Sequence, residues 1–186
     1  MIVQIAGTSG SGKSHLVRSI LDFAASEGDC EEDKAKGKTD GYKLTLPKVP
    51  GQTYVLGPYD VPTGGCDTKG SAIEVYKLLP LIVPQYRHVI FEGLFVMNMT
   101  RGPQLAAEYA GDFVVIQLDT PLATCLASVN ERRAARGAGK LEDTSNTEDN
   151  FRRARNYCAK MRDAGARVIK MNREEALGRV LALLEA

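Results

Sequence analysis

Eight consecutive residues near the start of the chain, Gly7-Thr8-Ser9-Gly10-Ser11-Gly12-Lys13-Ser14, match G-x-x-x-x-G-K-[ST] at every fixed position. Glycines let such a loop curl until successive backbone N–H groups converge on phosphate oxygens. A helix after the loop adds its positive end. Lys13 would reach the β- and γ-phosphates, and the Ser14 hydroxyl would ligate magnesium. The loop predicts binding of a nucleoside triphosphate with Mg2+. ATP is the default, because no N/TKxD-type guanine reader is present. The motif does not separate a kinase from an NTPase.

Phosphoryl transfer also needs charge clamps and an oriented nucleophile. Glu92 follows the apolar run Val89-Ile90-Phe91, which would deliver it to the same end of a sheet as the phosphate loop. There it can hold magnesium through a water or position the attacking group. Asp60 follows TYVLGPY and either accepts the proton of an acceptor hydroxyl or caps a turn. The segment Gly64-Gly65-Cys66-Asp67-Thr68-Lys69 would line the acceptor side. Asp67 either touches the acceptor or caps the next helix. Lys69 is a candidate phosphate or substrate contact, and Tyr59 either stacks on an acceptor base or packs at the core edge. Asp119, ahead of Thr120-Pro121, reads as a helix cap.

Arg132, Arg133 and Arg136 precede Gly137-Ala138-Gly139-Lys140. Arg132 and Arg136 are spaced to share a helix face. They would fold over the triphosphate and stabilise the transferring group, with the glycines allowing closure. The alternative is a solvated basic turn paired with Glu131 or Glu142. Arg152, Arg153 and Arg155 form a second basic run.

The elements that must position these groups follow from hydrophobic periodicity. Strands are expected at 2–6, 42–46, 53–56, 89–91, 113–118 and 167–170. Helices are expected at about 13–25, 71–83, 104–109, 121–136, 148–164 and 174–184. In the 71–83 helix, Ile73, Tyr76, Leu78, Leu79 and Ile82 form the expected inner face, with Pro80 bending it or near its end. The polar stretch Gly28–Gly41 reads as a loop, and Val61–Gly70 as a second. Short apolar strands alternating with helices imply an α/β fold with a mostly parallel sheet covered on both faces. Such sheets bind ligands at the carboxyl ends of their strands.

Length and composition agree. The chain of 186 residues suits a single domain, 1–186, with an acceptor-side insertion at 28–70 and a lid region at 130–155. Apolar residues are 44% and charged residues 25%, and the net charge of +1 hides any local basic zone. Cys30, Cys66, Cys125 and Cys158 make no C-x-x-C pair, which reads as reduced thiols in a cytoplasmic protein. No signal peptide or membrane span is expected. Monomer and dimer are equally compatible with the sequence.

The phosphate loop, VIFEG and NERRAARG together resemble the small nucleoside and nucleotide kinases. LGPYDVPTGGCDT, VIFEGLF, LDTPLATC and NERRAARG resemble more closely a bacteriophage family of P-loop kinases associated with thymine hypermodification, which includes 5-hydroxymethyluracil DNA kinases. The resemblance runs from Met1 to about Arg162 and more weakly beyond. It implies a P-loop kinase-like three-layer sandwich with a helical Arg-rich lid, in the host cytoplasm. It implies ATP as donor and the 5-hydroxymethyl group of a modified pyrimidine in DNA as acceptor. By motif, Gly7 to Ser14 would hold ATP and magnesium, Asp60 would be the base, Glu92 the strand-end acid, and Arg132, Arg133 and Arg136 the lid. Asp67-Thr68-Lys69 lacks the Ile that the family pattern places before its Lys, which leaves the orientation of Lys69 open. A kinase of a free nucleoside, nucleotide or other small hydroxyl metabolite is the alternative, and a nucleotide-driven switch a third. An open basic groove beside Asp60 would favour a polymer, and a narrow enclosed pocket a small acceptor.

Overall fold

The computed structural model describes residues 1–60 and 64–186, so the first positions of the expected loop at 61–70, Val61 to Thr63, lie outside the described residues. Seven strands form one sheet: β1 (Ile2–Ala6), β2 (Asp29–Ala35), β3 (Lys38–Thr45), β4 (Thr53–Leu56), β5 (His88–Glu92), β6 (Phe113–Leu118) and β7 (Arg167–Met171). Their spatial order is β2-β3-β4-β5-β1-β6-β7. The run β4-β5-β1-β6-β7 is parallel, while β3 pairs antiparallel with both β4 and β2. The helices are α1 (Lys13–Glu27), α2 (Ala72–Ile82), α3 (Arg101–Glu108), α4 (Leu122–Ala134), α5 (Ser145–Asp163) and α6 (Ala176–Glu185).

The parallel strands β4, β5, β1 and β6 are buried on both faces, while the edge strand β7 is partly exposed, and alternate residues of the sheet feed two apolar layers. Ile2, Val89, Phe91, Phe113 and Val115 face α2, α3 and α5 through Leu79, Leu105, Tyr157 and Met161. Val3, Ile5, Ile90, Val114 and Ile116 face α1 and α6 through Val17, Ile20, Val180 and Leu184. Phe91 and Phe113 meet edge-on at 6.4 Å. One polar residue, Gln4, sits fully buried in the first layer, where its bonds are satisfied. Its amide donates to Val96 O at 3.0 Å, and its Oε1 accepts from Tyr157 Oη at 2.7 Å. Tyr76 Oη also donates to Val96 O, at 2.6 Å. Among the described residues no helix is long and apolar enough to cross a membrane.

Three expectations are corrected. Gly28–Gly41 is not a loop: it holds β2 and the first part of β3, joined by a two-residue turn at Lys36 (φ 52) and Gly37 (φ 77). Two positive φ values in succession match the twist of a hairpin, as in type I′ turns. The register slips between Asp33 and Lys34, so Asp40 bulges out of the ladder and its carbonyl accepts from Gly57 N at 2.9 Å. In α2 the buried face is Val75, Tyr76 and Leu79, while Ile73 is exposed; this helix is apolar nearly all round, so periodicity does not pick its inner side. Pro80 lies inside its last turn. Asp119 caps nothing: Pro121 is the N-cap of α4 and no side chain caps it, and Asp119 pairs with Lys170 at 2.7 Å and Arg155 at 3.9 Å.

Candidate active site

The carboxyl ends of the parallel strands bring most of the expected groups to one side. The loop after β1 bends sharply at Gly10 (φ 80) and Gly12 (φ 101), a region where L side chains are strained. A Cβ on Gly7 would collide with Ser11 Oγ, and one on Gly10 with the Cys125 carbonyl, so these glycines are required by space as well. Thr120 Oγ1 donates to Ser11 O at 2.8 Å and Thr8 Oγ1 to Thr147 O at 3.2 Å, which ties the loop to the starts of α4 and α5. α1 begins directly after the loop with no acidic residue in its own first turn, so its positive end is not neutralised from within the helix.

Ser9, Gly10, Gly12, Lys13 and Ser14 line a cleft of about 510 Å³ together with Gly64, Asp67, Glu92 and Arg132. Lys13 is buried, and Nζ donates to Gly7 O at 2.9 Å and Thr8 O at 3.0 Å. An ammonium has three donors, so one is left for a further acceptor. Burial pushes the Lys13 pKa down, and the carboxylates of Glu92 and Asp67 oppose that shift. Glu92 is the last residue of β5 and is 1% exposed. Its Oε1 accepts from Ser14 Oγ at 2.8 Å. Burial raises the Glu92 pKa, against the lowering effects of Lys13 and of the Ser14 bond.

The acceptor-side turn packs against this pair. Gly65 (φ 79) leaves so little room that a Cβ there would stand 2.5 Å from Glu92 Oε1. Asp67 does not cap α2; Ser71 does, accepting from Glu74 N at 3.3 Å. Asp67 instead accepts from Leu94 N at 2.9 Å and Phe95 N at 3.0 Å, pinning the chain beyond β5. Tyr59 is buried beside Tyr42, and its hydroxyl has no hydrogen-bond partner among the described residues.

Most of the remaining expected residues lie apart from the cleft. Asp60 is exposed and, with Lys69, lines a neighbouring hollow rather than the phosphate-loop cleft. Lys69 Nζ donates to Asp40 O at 2.9 Å and forms an ion pair with the Asp40 carboxylate. Of the three expected lid arginines, Arg132 lines the cleft. Arg133 donates from Nε to Gly139 O at 2.8 Å, and Arg136 is exposed outside the cleft. Arg152 pairs with Asp149, and Arg155 stacks over Phe151 at 5.0 Å.

Two cleft arginines escape motif reasoning. Arg18 donates to Tyr59 O at 3.1 Å and lines the cleft. It stands four positions after Ser14 on α1, so helical spacing alone puts it on the same face. Arg173 follows the end of β7 and also lines the cleft. The strand-end rule that nominates Glu92 reaches Arg173 when applied to the last strand.

Taken together, the cleft offers a glycine cradle, a helix N-terminus, a buried ammonium, three guanidinium groups and a hydroxyl–carboxylate pair. That set suits a polyphosphate with a hard divalent cation. No family model matches the chain. A curated relative, the "5-hmdU DNA kinase" of Pseudomonas phage PaMx11, is 33% identical over 191 aligned positions that cover 100% of this chain and 97% of the relative.

Proposed function

The chain belongs to the 5-hmdU DNA kinase family, and on that premise we propose that it transfers the γ-phosphate of ATP to the 5-hydroxymethyl group of hydroxymethyluracil in DNA. The observation that carries this reading is the 2.8 Å contact of Ser14 with Glu92, set in one cleft with Lys13, Asp67 and Arg132. Magnesium is commonly bound by one or two protein oxygens and completes its shell with waters and substrate phosphates. Ser14 and Glu92 fit that role. Among the described residues no cluster of three or more His, Cys, Asp or Glu could cage a metal alone. When bound, the ion would withdraw charge from the β- and γ-phosphate oxygens.

In this reading Gly7 to Ser14 wrap the triphosphate, with Lys13 against the β- and γ-phosphates and Arg132 across the transferring group. Arg133 braces the lid through Gly139, and Arg136 joins Arg132 when the 130–155 region closes. Tyr59, Gly64, Gly65 and Asp67 shape the acceptor wall within the 28–70 region, and Lys69 fastens that wall to Asp40. The carboxylate of Asp60 has no hydrogen bond or ion pair among the described residues, so its lone pairs are available. Asp60 lines the hollow that adjoins the cleft, and in this reading its contact with the acceptor forms only with substrate bound, when it takes the proton of the 5-hydroxymethyl group as that oxygen bonds to the γ-phosphorus. The bond from phosphorus to the β–γ bridging oxygen breaks, and ADP leaves with its electron pair. A base inside a duplex must leave the stack to reach such a cleft.

The test offers labelled ATP to hydroxymethyluracil DNA, unmodified DNA and the free hydroxymethyluracil nucleotide in parallel. Label in the modified polymer, lost in Lys13→Ala, is the expected result. Label only in the free nucleotide would move the acceptor to the small-molecule class. Label in none of them, with ATP consumed, would leave an NTPase.

A further inference from the structure

We infer that the tip of the β2–β3 hairpin is the surface on which the phosphodiester backbone of the substrate DNA rests. This depends on the DNA-kinase reading above and adds where the polymer lies. The hairpin is the outer edge of the sheet, and its tip, Lys34-Ala35-Lys36-Gly37-Lys38, carries three ammonium groups and no carboxylate. Of the acids nearer its base, Asp29 and Glu31 are outside the lining of the adjoining hollow, and the other three are engaged. Glu32 pairs with Lys34 at 2.7 Å, Asp33 accepts from Tyr54 Oη at 2.9 Å and pairs with Lys43 at 3.6 Å, and Asp40 holds Lys69. Lys36 and Lys38 are exposed and have no carboxylate partner among the described residues.

Local folding does not explain the choice of lysine. Residue 36 sits at φ 52, where a tight hairpin favours Asn, Asp or Gly. The position is therefore filled at a conformational cost by a side chain that makes no hydrogen bond or ion pair among the described residues. A two-residue turn also holds these ammonium groups on a ribbon of defined shape, and a two-stranded ribbon fits against duplex DNA. Ammonium groups on such a ribbon would position phosphates without reading sequence.

Placement gives the second argument. The tip, Asp60 and Lys69 surround the broad hollow of about 810 Å³. The turn from Gly64 to Lys69 is the wall between the two spaces: Gly64 and Asp67 face the phosphate-loop cleft, whereas Thr68 and Lys69 face the hollow. A base that passes this wall toward the cleft leaves its sugar–phosphate chain over the hollow, beside the hairpin. The hollow next to Asp60 is lined by four lysines and three acids, and its two unpaired lysines, Lys36 and Lys38, are the ones at the hairpin tip.

The test uses the full chain and a hydroxymethyluracil-containing duplex, with binding followed by fluorescence anisotropy between 50 and 200 mM salt (about the range over which phosphate contacts are resolved). Each phosphate contact contributes about 0.9 to the slope of log K against log salt. Lys36→Ala/Lys38→Ala should therefore lower the slope by about 1.8, and Lys36→Arg/Lys38→Arg should retain it. Melting temperature checks that both variants fold. A double-alanine variant with the parental slope and the parental KM for DNA overturns the inference, while the parent still phosphorylates DNA. A parent that neither binds nor phosphorylates hydroxymethyluracil DNA overturns the DNA-kinase reading itself, and this inference with it.

Discussion

Replacing Gly65 with alanine should disable phosphoryl transfer in a molecule that still folds. Gly65 lies at φ 79, where an L side chain costs about 1–2 kcal/mol. Its new Cβ would stand 2.5 Å from Glu92 Oε1, against 3.4 Å for ordinary contact, so the carboxylate must retreat by about 0.9 Å. That oxygen is the one that accepts from Ser14, so a retreat of this size breaks their bond. Misplacing a catalytic constellation by about an ångström costs roughly 10²-fold in rate. Gly111→Ala is the control, because Gly111 has φ 89 but nothing within 4 Å of its would-be Cβ. Both variants should melt roughly 2–8 °C below the parent, from the shared backbone strain in a chain of this size. Single-turnover transfer should fall about 10²-fold in Gly65→Ala and stay parental in Gly111→Ala. Parental transfer by Gly65→Ala, or an equal loss in both, would refute the reasoning that Glu92 is held in place by that glycine.

Asp60→Asn should leave ATP affinity near the parental value while transfer drops about 10²–10⁴-fold; collapse of ATP binding in calorimetry would assign Asp60 to the donor side instead. Arg132→Ala should lose about 10²–10³-fold in kcat, well beyond Arg136→Ala, because of these two Arg132 lines the cleft and Arg136 does not; equal losses would mean that closure brings both to the phosphates. His88 is buried, and its pKa is pushed down to about 4, chiefly by burial, with a weaker opposing contact to the Leu184 backbone. The folded pKa lies below the ordinary 6.5, so His88 supports stability above pH 6.5 and that support is lost as pH falls toward about 4. Urea midpoints should fall across that window in the parent and fall less in His88→Leu; parallel curves would refute the assignment.

The central strands were legible because burial on both faces demands continuous apolar runs, as in Phe113–Leu118. The phosphate loop was legible because its backbone path admits few residue types. The β2–β3 hairpin was not, for a related reason. Much of its surface is exposed at the sheet edge, so its side chains are charged and carry no alternation, and backbone pairing holds the ribbon instead. Only Lys36-Gly37 marks the turn, and Lys is an uncommon first residue there. Asp67 could not be read either. Its partners, Leu94 and Phe95, are 27 and 28 positions away, and a backbone amide leaves no trace in composition. Asp60 shows a different limit, since a strand-end position fixes which side of the sheet a residue reaches but not which of two adjoining hollows.

The small polar knot around Gln4 constrains how the enzyme can move. Gln4 belongs to β1, which leads straight into the phosphate loop. Tyr157 belongs to the helix on the arginine-bearing flank, Tyr76 to the helix on the acceptor flank, and Val96 to the chain beyond Glu92. Pulling these groups apart would strand buried donors and acceptors at about 1–3 kcal/mol apiece. The two flanks are thus stitched together at their roots. Any breathing that accompanies turnover would therefore fall to the chain outside this knot, while the floor beneath the donor stays still.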